Sequence, residues 1–188
     1  MLGRLARKFG KKGFPRLLAV LEAASYVAGV IALCLLYIQL QNDAAARRAQ
    51  HTLEFVSQFN SDPMSSHRQN ALKPWLDHAG QLGAINAAGG LPRAEIDSLS
   101  RQVVAEYDAG HVETPASLSI QEVAGFFDQL AICIDSSVCD AAVARDYFED
   151  YATNFWCMNR AVLADLRREF AMPELGEGLR PFQRKRGC

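Results

Sequence analysis

No charged residue occurs between Ala23 and Leu40, a run of 18 positions. Within Leu17–Leu40 only Glu22 interrupts the apolar character, and it sits at the edge beside the N-terminal tail. A helix apolar on every face has no side to turn toward water, which argues against a surface helix of a soluble domain. At ~1.5 Å per residue those 24 residues span roughly 36 Å, enough to cross a ~30 Å hydrocarbon layer with some tilt. Ala44-Ala45-Ala46 has the small side chains of a signal-peptidase site, but secretory h-regions run only ~7–15 residues, so the run reads as a retained anchor. The expectation is a single-pass protein: a basic tail over 1–16, a transmembrane helix over 17–40, a helical domain over 41–172 and a flexible basic tail over 173–188.

The chain is equally poor in patterns that carry catalysis. It has no CxxC and no HExxH, and Cys133 and Cys139, six apart, match no zinc spacing. His111-Val-Glu113 has the spacing of a deaminase ligand and base, but the Pro-Cys-x-x-Cys that such a site needs downstream is missing. His51, His67 and His78 are scattered, none with a second ligand three or four residues on, and Asp77-His78 are neighbours that point to different faces of a helix. Ala88-Gly89-Gly90-Leu91 lacks the order of a phosphate-binding loop, and there is no Gly-x-Ser-x-Gly turn. These absences predict no catalytic residue, no metal and no cofactor.

Charge of one sign is confined to the ends. Residues 1–16 carry six Lys/Arg and no acid, and the last 16 carry two more bases than acids, so a formal net charge of −1 leaves the middle at −9. An acidic body argues against nucleic acid as a partner. The basic ends suit anionic lipid headgroups. Six positive charges before the apolar run place the N-terminus in the cytoplasm by the positive-inside rule, whereas Arg47-Arg48 just beyond it pulls the other way. Cys34 lies inside the apolar run; Cys133, Cys139, Cys157 and Cys188 lie in the domain. On an oxidising side Cys133 and Cys139 close a short disulfide loop; on a reducing side they remain a thiol pair.

No alternating strand pattern and no internal repeat are present. Between Asp43 and Phe59 there is no Pro or Gly, and Ala45, Ala49, Thr52, Leu53, Val56 and Phe59 share one helical face, so one continuous rod is expected over Leu17–Phe59. Asn60-Ser61-Asp62-Pro63 breaks it, with Asp62 as N-cap and Pro63 as first residue of a helix to Gly80 striped by Leu72, Trp75, Leu76 and Ala79 and kinked at Pro74. Gly80–Pro92 reads as a loop and Arg93–Tyr107 as a helix through Ile96, Leu99, Val103, Val104 and Tyr107. Ser119 and Glu122 fit a capping box ahead of Val123, Phe126, Phe127, Leu130, Ile132 and Ile134. After a turn at Ser136–Cys139, Asp140 caps a helix to Ala171 whose stripe is Val143, Tyr147, Tyr151, Phe155, Val162, Leu166 and Phe170. Phe126, Phe127, Tyr147, Phe148, Tyr151, Phe155 and Trp156 read as core packing between the two hairpin helices, the alternative being that Phe127, Phe148 or Trp156, off the main stripe, makes an exposed patch for a partner. In the membrane run, Ala24, Ala28 and Ala32 repeat every four residues and Ser25 faces Gly29, small-residue spacing that favours close helix packing.

The stretch Glu122–Trp156, with its Phe-Phe helix, Val138 and Asp140 in the turn, then Tyr147-Phe148, Tyr151 and Phe155-Trp156, resembles bacterial membrane-anchored helical proteins of the domain of unknown function 4760 family. Their order of parts is similar: membrane helix, Arg-containing helix, Asp-Pro break, aromatic hairpin. Here Ser136-Ser137 stands where a Gly is usual. The resemblance implies an all-α architecture, an N-terminal membrane helix continuing into an irregular bundle with a C-terminal antiparallel hairpin. It brings no catalytic residue. The resulting expectation is a non-enzymatic accessory or interaction subunit of the bacterial inner membrane, partnered by the bilayer and by a protein or its own copy. The alternative is a sensor domain responsive to a ligand or to thiol state through Cys133 and Cys139.

Overall fold

The computed structural model describes residues 14–80 and 92–183, with side chains from residue 19 onward. The basic tail before Phe14, most of the expected Gly80–Pro92 loop and residues 184–188 lie outside the described residues. The elements are α1 (Phe14–Asn60), α2 (Met64–Asp77), α3 (Arg93–Gly110), α4 (Ala116–Asp135), α5 (Ala141–Glu169) and a 3-10 helix, η1 (Glu177–Phe182). All of them are helical, as the hydrophobic spacing predicts. The chain divides into two compact units, Met1–Ala46 and Arg47–Cys188.

In the first unit every described side chain is exposed, Tyr26 and Leu33 by more than two thirds. It belongs to the one helix among the described residues that is long and apolar enough to cross a membrane. The helix runs without interruption to Asn60, because nothing between Asp43 and Phe59 breaks it.

The second unit has an aromatic core. Phe127 is fully buried. Its ring lies 5.9 Å from Phe59, 5.4 Å from Phe126, 5.7 Å from Phe148 and 5.7 Å from Phe182, all in edge-to-face geometry. That arrangement matches the ring quadrupoles and adds to the area term. Four chain segments therefore meet at one residue. The most extensive packing is α2 on α4, followed by η1 on α4 and α3 on α5; α4 and α5 touch over a smaller surface.

Polar ties fix the register of these contacts. Thr52, fully buried, donates to Arg48 O at 3.0 Å and accepts from Asp140 N at 2.8 Å, which pins the end of α1 to the turn before α5. Asp140 also accepts from Ala142 N and Val143 N at 2.9 and 3.1 Å, the N-cap read from sequence. Asn70 donates to Ser119 Oγ at 2.9 Å and accepts from Tyr107 Oη at 3.2 Å, joining α2, α3 and α4. Ser100 donates to Met158 O at 2.6 Å, joining α3 to α5.

Several local expectations are corrected. The capping box does not form. α4 begins at Ala116, so Ser119 lies inside the helix, and the cap comes from Asp108, which accepts from Ala116 N at 2.6 Å and Ser117 N at 3.2 Å. A distant carboxylate has replaced a local hydroxyl. α2 begins at Met64 rather than Pro63, and Asp62 accepts chiefly from the hydroxyls of Ser65 and Ser66. Those two hydroxyls hold its carboxyl below the usual carboxylate range. The stripe of α2 is turned: Met64, Ala71, Pro74 and Trp75 are buried, while Leu72 and Leu76 are exposed. The stripe of α5 is turned in its first half. Phe148 is buried and Tyr147 is exposed, because the facing surface is the Phe59–Phe127 cluster. Phe127 and Phe148 are core residues and Trp156 is partly buried against that core, so the packing reading of the aromatic set holds for them and the exposed-patch alternative does not.

The C-terminal stretch, expected as a loose tail over 173–188, is docked as far as Gln183. Leu175, Leu179 and Phe182 are buried. Asp128 on α4 accepts from Gly176 N and Gly178 N, both at 2.7 Å. Burial pushes this carboxyl above its ordinary range, a desolvation effect that the two N–H groups and Arg167 only partly offset. Gly178 sits so close to α4 that a Cβ there would lie 2.3 Å from Phe127 O. Arg167 donates to Leu175 O at 2.6 Å and pairs with Glu177 at 2.9 Å.

Candidate functional site

A cavity of about 410 Å³ opens between α2 and α5, where those helices do not pack closely. Its apolar wall comes from Leu72, Trp75, Tyr151, Phe155 and Met158, and its polar positions include Arg68, Asn154 and Asn159. Small-molecule sites commonly occupy ~300–1,000 Å³ with mostly apolar walls and a few placed polar groups.

The break at Ser61-Asp62-Pro63 positions Arg68. The last carbonyls of a helix have no intrahelical donor. Arg68 Nη1 supplies one, donating to Phe59 O at 2.9 Å and to Asn60 Oδ1 at 3.1 Å. The guanidinium then stacks over the Phe59 ring, 4.0 Å from its centroid, and lies 5.2 Å from that of Tyr151. On α5, Asn159 donates to Phe155 O at 3.0 Å, which directs its other amide atom away from its own helix turn.

Three of these wall residues carry a buried polar atom with no hydrogen-bond partner: Arg68 Nε, Trp75 Nε1 and Asn159 Oδ1. Trp75 and Asn159 are themselves 5% and 3% exposed. A buried unsatisfied polar atom costs ~1–3 kcal/mol, and folded proteins carry few. All three residues line one cavity, and the three atoms are two donors and one acceptor. Tyr151 adds a phenol that burial pushes up to about 12, against the opposing pull of Arg68, so it stays protonated at neutral pH.

A second cavity, about 560 Å³, lies between α4 and the docked C-terminal segment and is lined by Asp128, Asp135, Glu174 and Glu177. Asp128 is engaged by Gly176 and Gly178, and Glu177 pairs with Arg167 and Arg180. Two of its four acids, Asp128 and Glu177, are thus committed to holding the segment.

The sequence-read positions fall elsewhere. Cys133 and Cys139 are joined by a disulfide across the α4–α5 turn, with Val138 N and Cys139 N both donating to Cys133 O at 3.0 Å. In that turn Ser137 adopts φ 59°, the left-handed region where a Gly sits without strain. Ala24, Ser25, Ala28, Gly29 and Ala32 are exposed on α1, and Ser25 donates to Glu22 O at 2.8 Å. His111 stacks on Tyr107 at 4.0 Å and its Nδ1 lies 2.9 Å from Tyr107 O. His51 faces Glu54 and His78 faces Glu106. Among the described residues no group of three His, Cys, Asp or Glu is placed to hold a metal. Arg68, Trp75, Tyr151 and Asn159 were not singled out by sequence. The signal was a polar residue set into an apolar stripe: Arg68 two turns before Trp75, and Asn159 about two turns after Tyr151.

A family model described as a domain of unknown function, DUF4760, matches residues 22–180. No curated protein and no solved structure matches the chain.

Proposed function

We propose, from the premise that this chain belongs to the DUF4760 family, that it is a membrane-anchored binding domain that senses a small molecule in the α2–α5 cavity. The observation that carries this reading is that three residues lining one cavity each hold a buried polar atom without a hydrogen-bond partner. A ligand that pairs them removes a standing cost to the fold, and so stabilises the bound form over the empty one. The binding is non-catalytic. α1 spans a bacterial inner membrane with its N-terminus in the cytoplasm, which puts the domain on the oxidising side, where the Cys133–Cys139 disulfide persists. There α4 and α5 act as an antiparallel hairpin closed by that disulfide. Ala24, Ser25, Ala28, Gly29 and Ala32 give α1 a face for self-association or for a protein partner.

The accessory-subunit reading draws support from Leu72 and Leu76, which are 44% and 60% exposed side by side on α2. In that reading a partner covers α2 and closes the cavity mouth at Leu72.

The test is thermal unfolding of the full-length protein in nanodiscs against a small-molecule collection. Hits that raise the midpoint, and lose that effect in a Met158→Trp variant that fills the cavity, are expected. A collection-wide absence of cavity-dependent shifts, together with stoichiometric recovery of one membrane protein through Leu72 and Leu76, would replace the sensor reading with the accessory one.

A further inference from the structure

We infer that the α2–α5 cavity takes a small ionised carboxylic acid with an apolar body, its carboxylate set against Arg68 and Trp75 and a hydroxyl or amino donor set against Asn159. This rests on the sensor reading and names the chemistry of its ligand.

Charge decides first. Among the described residues that line this cavity, Arg68 alone is charged. None of the ion pairs among the described residues involves it. Its Nη1 is satisfied by two neutral oxygens and its face by two aromatic rings, none of which carries a negative charge. A partly buried guanidinium binds a carboxylate oxygen more strongly than a neutral acceptor, because the bond is charge-assisted. The cavity between α4 and the docked C-terminal segment has the opposite character, with four acids in its wall. Of the two, only the α2–α5 cavity favours an anion.

Hydrogen-bonding capacity decides next. Arg68 Nε and Trp75 Nε1 are N–H groups that can only donate, and both lack an acceptor. A carboxylate brings two acceptor oxygens on one carbon. An ammonium group brings no acceptor for these two atoms. Asn159 Oδ1 can only accept, since its amide nitrogen is already directed to Phe155 O. It suits an acid that carries its own donor, such as a 2-hydroxy acid. Tyr151, held neutral, adds no negative charge to repel the ligand. A phosphate fits less well: as a strongly hydrated dianion it needs several donors, and the rest of the wall, Leu72, Trp75, Phe155 and Met158, is largely apolar.

The experiment uses the full-length protein in phosphatidylcholine nanodiscs, which present no net anionic lipid, and measures heat of binding for octanoate, 2-hydroxyoctanoate, octanamide and palmitate. Saturable octanoate binding at least about tenfold tighter than octanamide is expected, the effect of one charge-assisted hydrogen bond. 2-Hydroxyoctanoate is expected to bind several-fold tighter still. Arg68→Gln should remove the preference for octanoate over octanamide. Because Arg68 also caps α1, Trp75→Phe serves as the second variant; it keeps the wall, removes one donor and should weaken octanoate about fivefold to tenfold. Saturation by octanoate assigns a free acid, and saturation by palmitate alone assigns an acyl chain drawn from the bilayer; both support the carboxylate. Equal or tighter binding of octanamide overturns the carboxylate while leaving a ligand-binding cavity. Absence of saturable binding by any of the three acids overturns the inference, as does octanoate affinity unchanged in both variants.

Discussion

α1 and α4 are both rich in large apolar residues, yet they meet opposite surroundings. Val20, Val30, Leu33 and Leu36 of α1 are each more than half exposed, whereas Ile120, Val123, Phe127 and Leu130 of α4 are fully buried. The difference lies in arrangement. Between Ala23 and Leu40 the apolar residues of α1 surround the helix, so no single protein surface could cover them. In α4 they fall on faces that α2, α5 and η1 cover, and Gln121, Glu122 and Gln129 are left outside that core. Hydrophobicity says that a helix must leave water. Its distribution around the axis says whether lipid or protein takes it in.

The comparison breaks most visibly at α1. Ile31→Arg combined with Leu35→Arg places two charges in the apolar run, at ~2.5–3.5 kcal/mol each near a bilayer centre. The expected outcome is loss of the protein from the carbonate-resistant membrane fraction, read by immunoblot. Retention of the double variant would mean that the run is not a spanning helix.

A smaller effect is expected where η1 covers α4. Gly178→Ala puts a Cβ 2.3 Å from the Phe127 carbonyl oxygen, backbone that cannot swing aside. Overpacking of this kind costs ~1–3 kcal/mol. Hydrogen exchange should show faster exchange at Gly176 and Leu179 with α1 unaffected. Unchanged protection there would show that the segment yields without cost.

The smallest effect sharpens the boundary between the regions, at the Asp62 break. The hydroxyls of Ser65 and Ser66 lower the carboxyl of Asp62 below 3.8, so its ionised form stabilises the fold. That contribution is fully present above the unfolded value and is lost as pH falls through the lower folded value. Asp62→Asn should therefore lower the melting midpoint slightly at pH 7 and converge with the parent below that value. A gap that persists in acid would assign the effect to shape rather than charge.

Much of the helix plan was legible in the residues because it rests on short-range rules. The uninterrupted α1, the Asp140 cap and the start of α3 need only spacing, Pro and Gly positions and cap chemistry. The capping box at Ser119 failed for a reason of the same kind seen from outside: Asp108, eight residues before Ala116, offered the backbone a better acceptor. Phe148 was read off-stripe because a helix stripe a few residues wide leaves the choice between neighbours such as Tyr147 and Phe148 to whatever packs opposite. The cavity was not legible at all. Arg68 and Asn159 are ordinary polar residues in sequence, and only the gap between α2 and α5 makes their unpaired atoms meaningful.

By itself, the amino-acid sequence determined that this protein is helical, that it carries one membrane-length apolar helix, and where most helices start and stop. All of these follow from interactions within a few residues along the chain. The tertiary structure decided which faces of α2 and α5 turn inward, that Leu175, Leu179 and Phe182 seal the core, and that three residues with an unpaired buried polar atom line one cavity. Those outcomes depend on which surfaces meet, and residues as far apart in the chain as Arg68 and Asn159 acquire a common chemistry only once packing brings their helices to the same cavity wall.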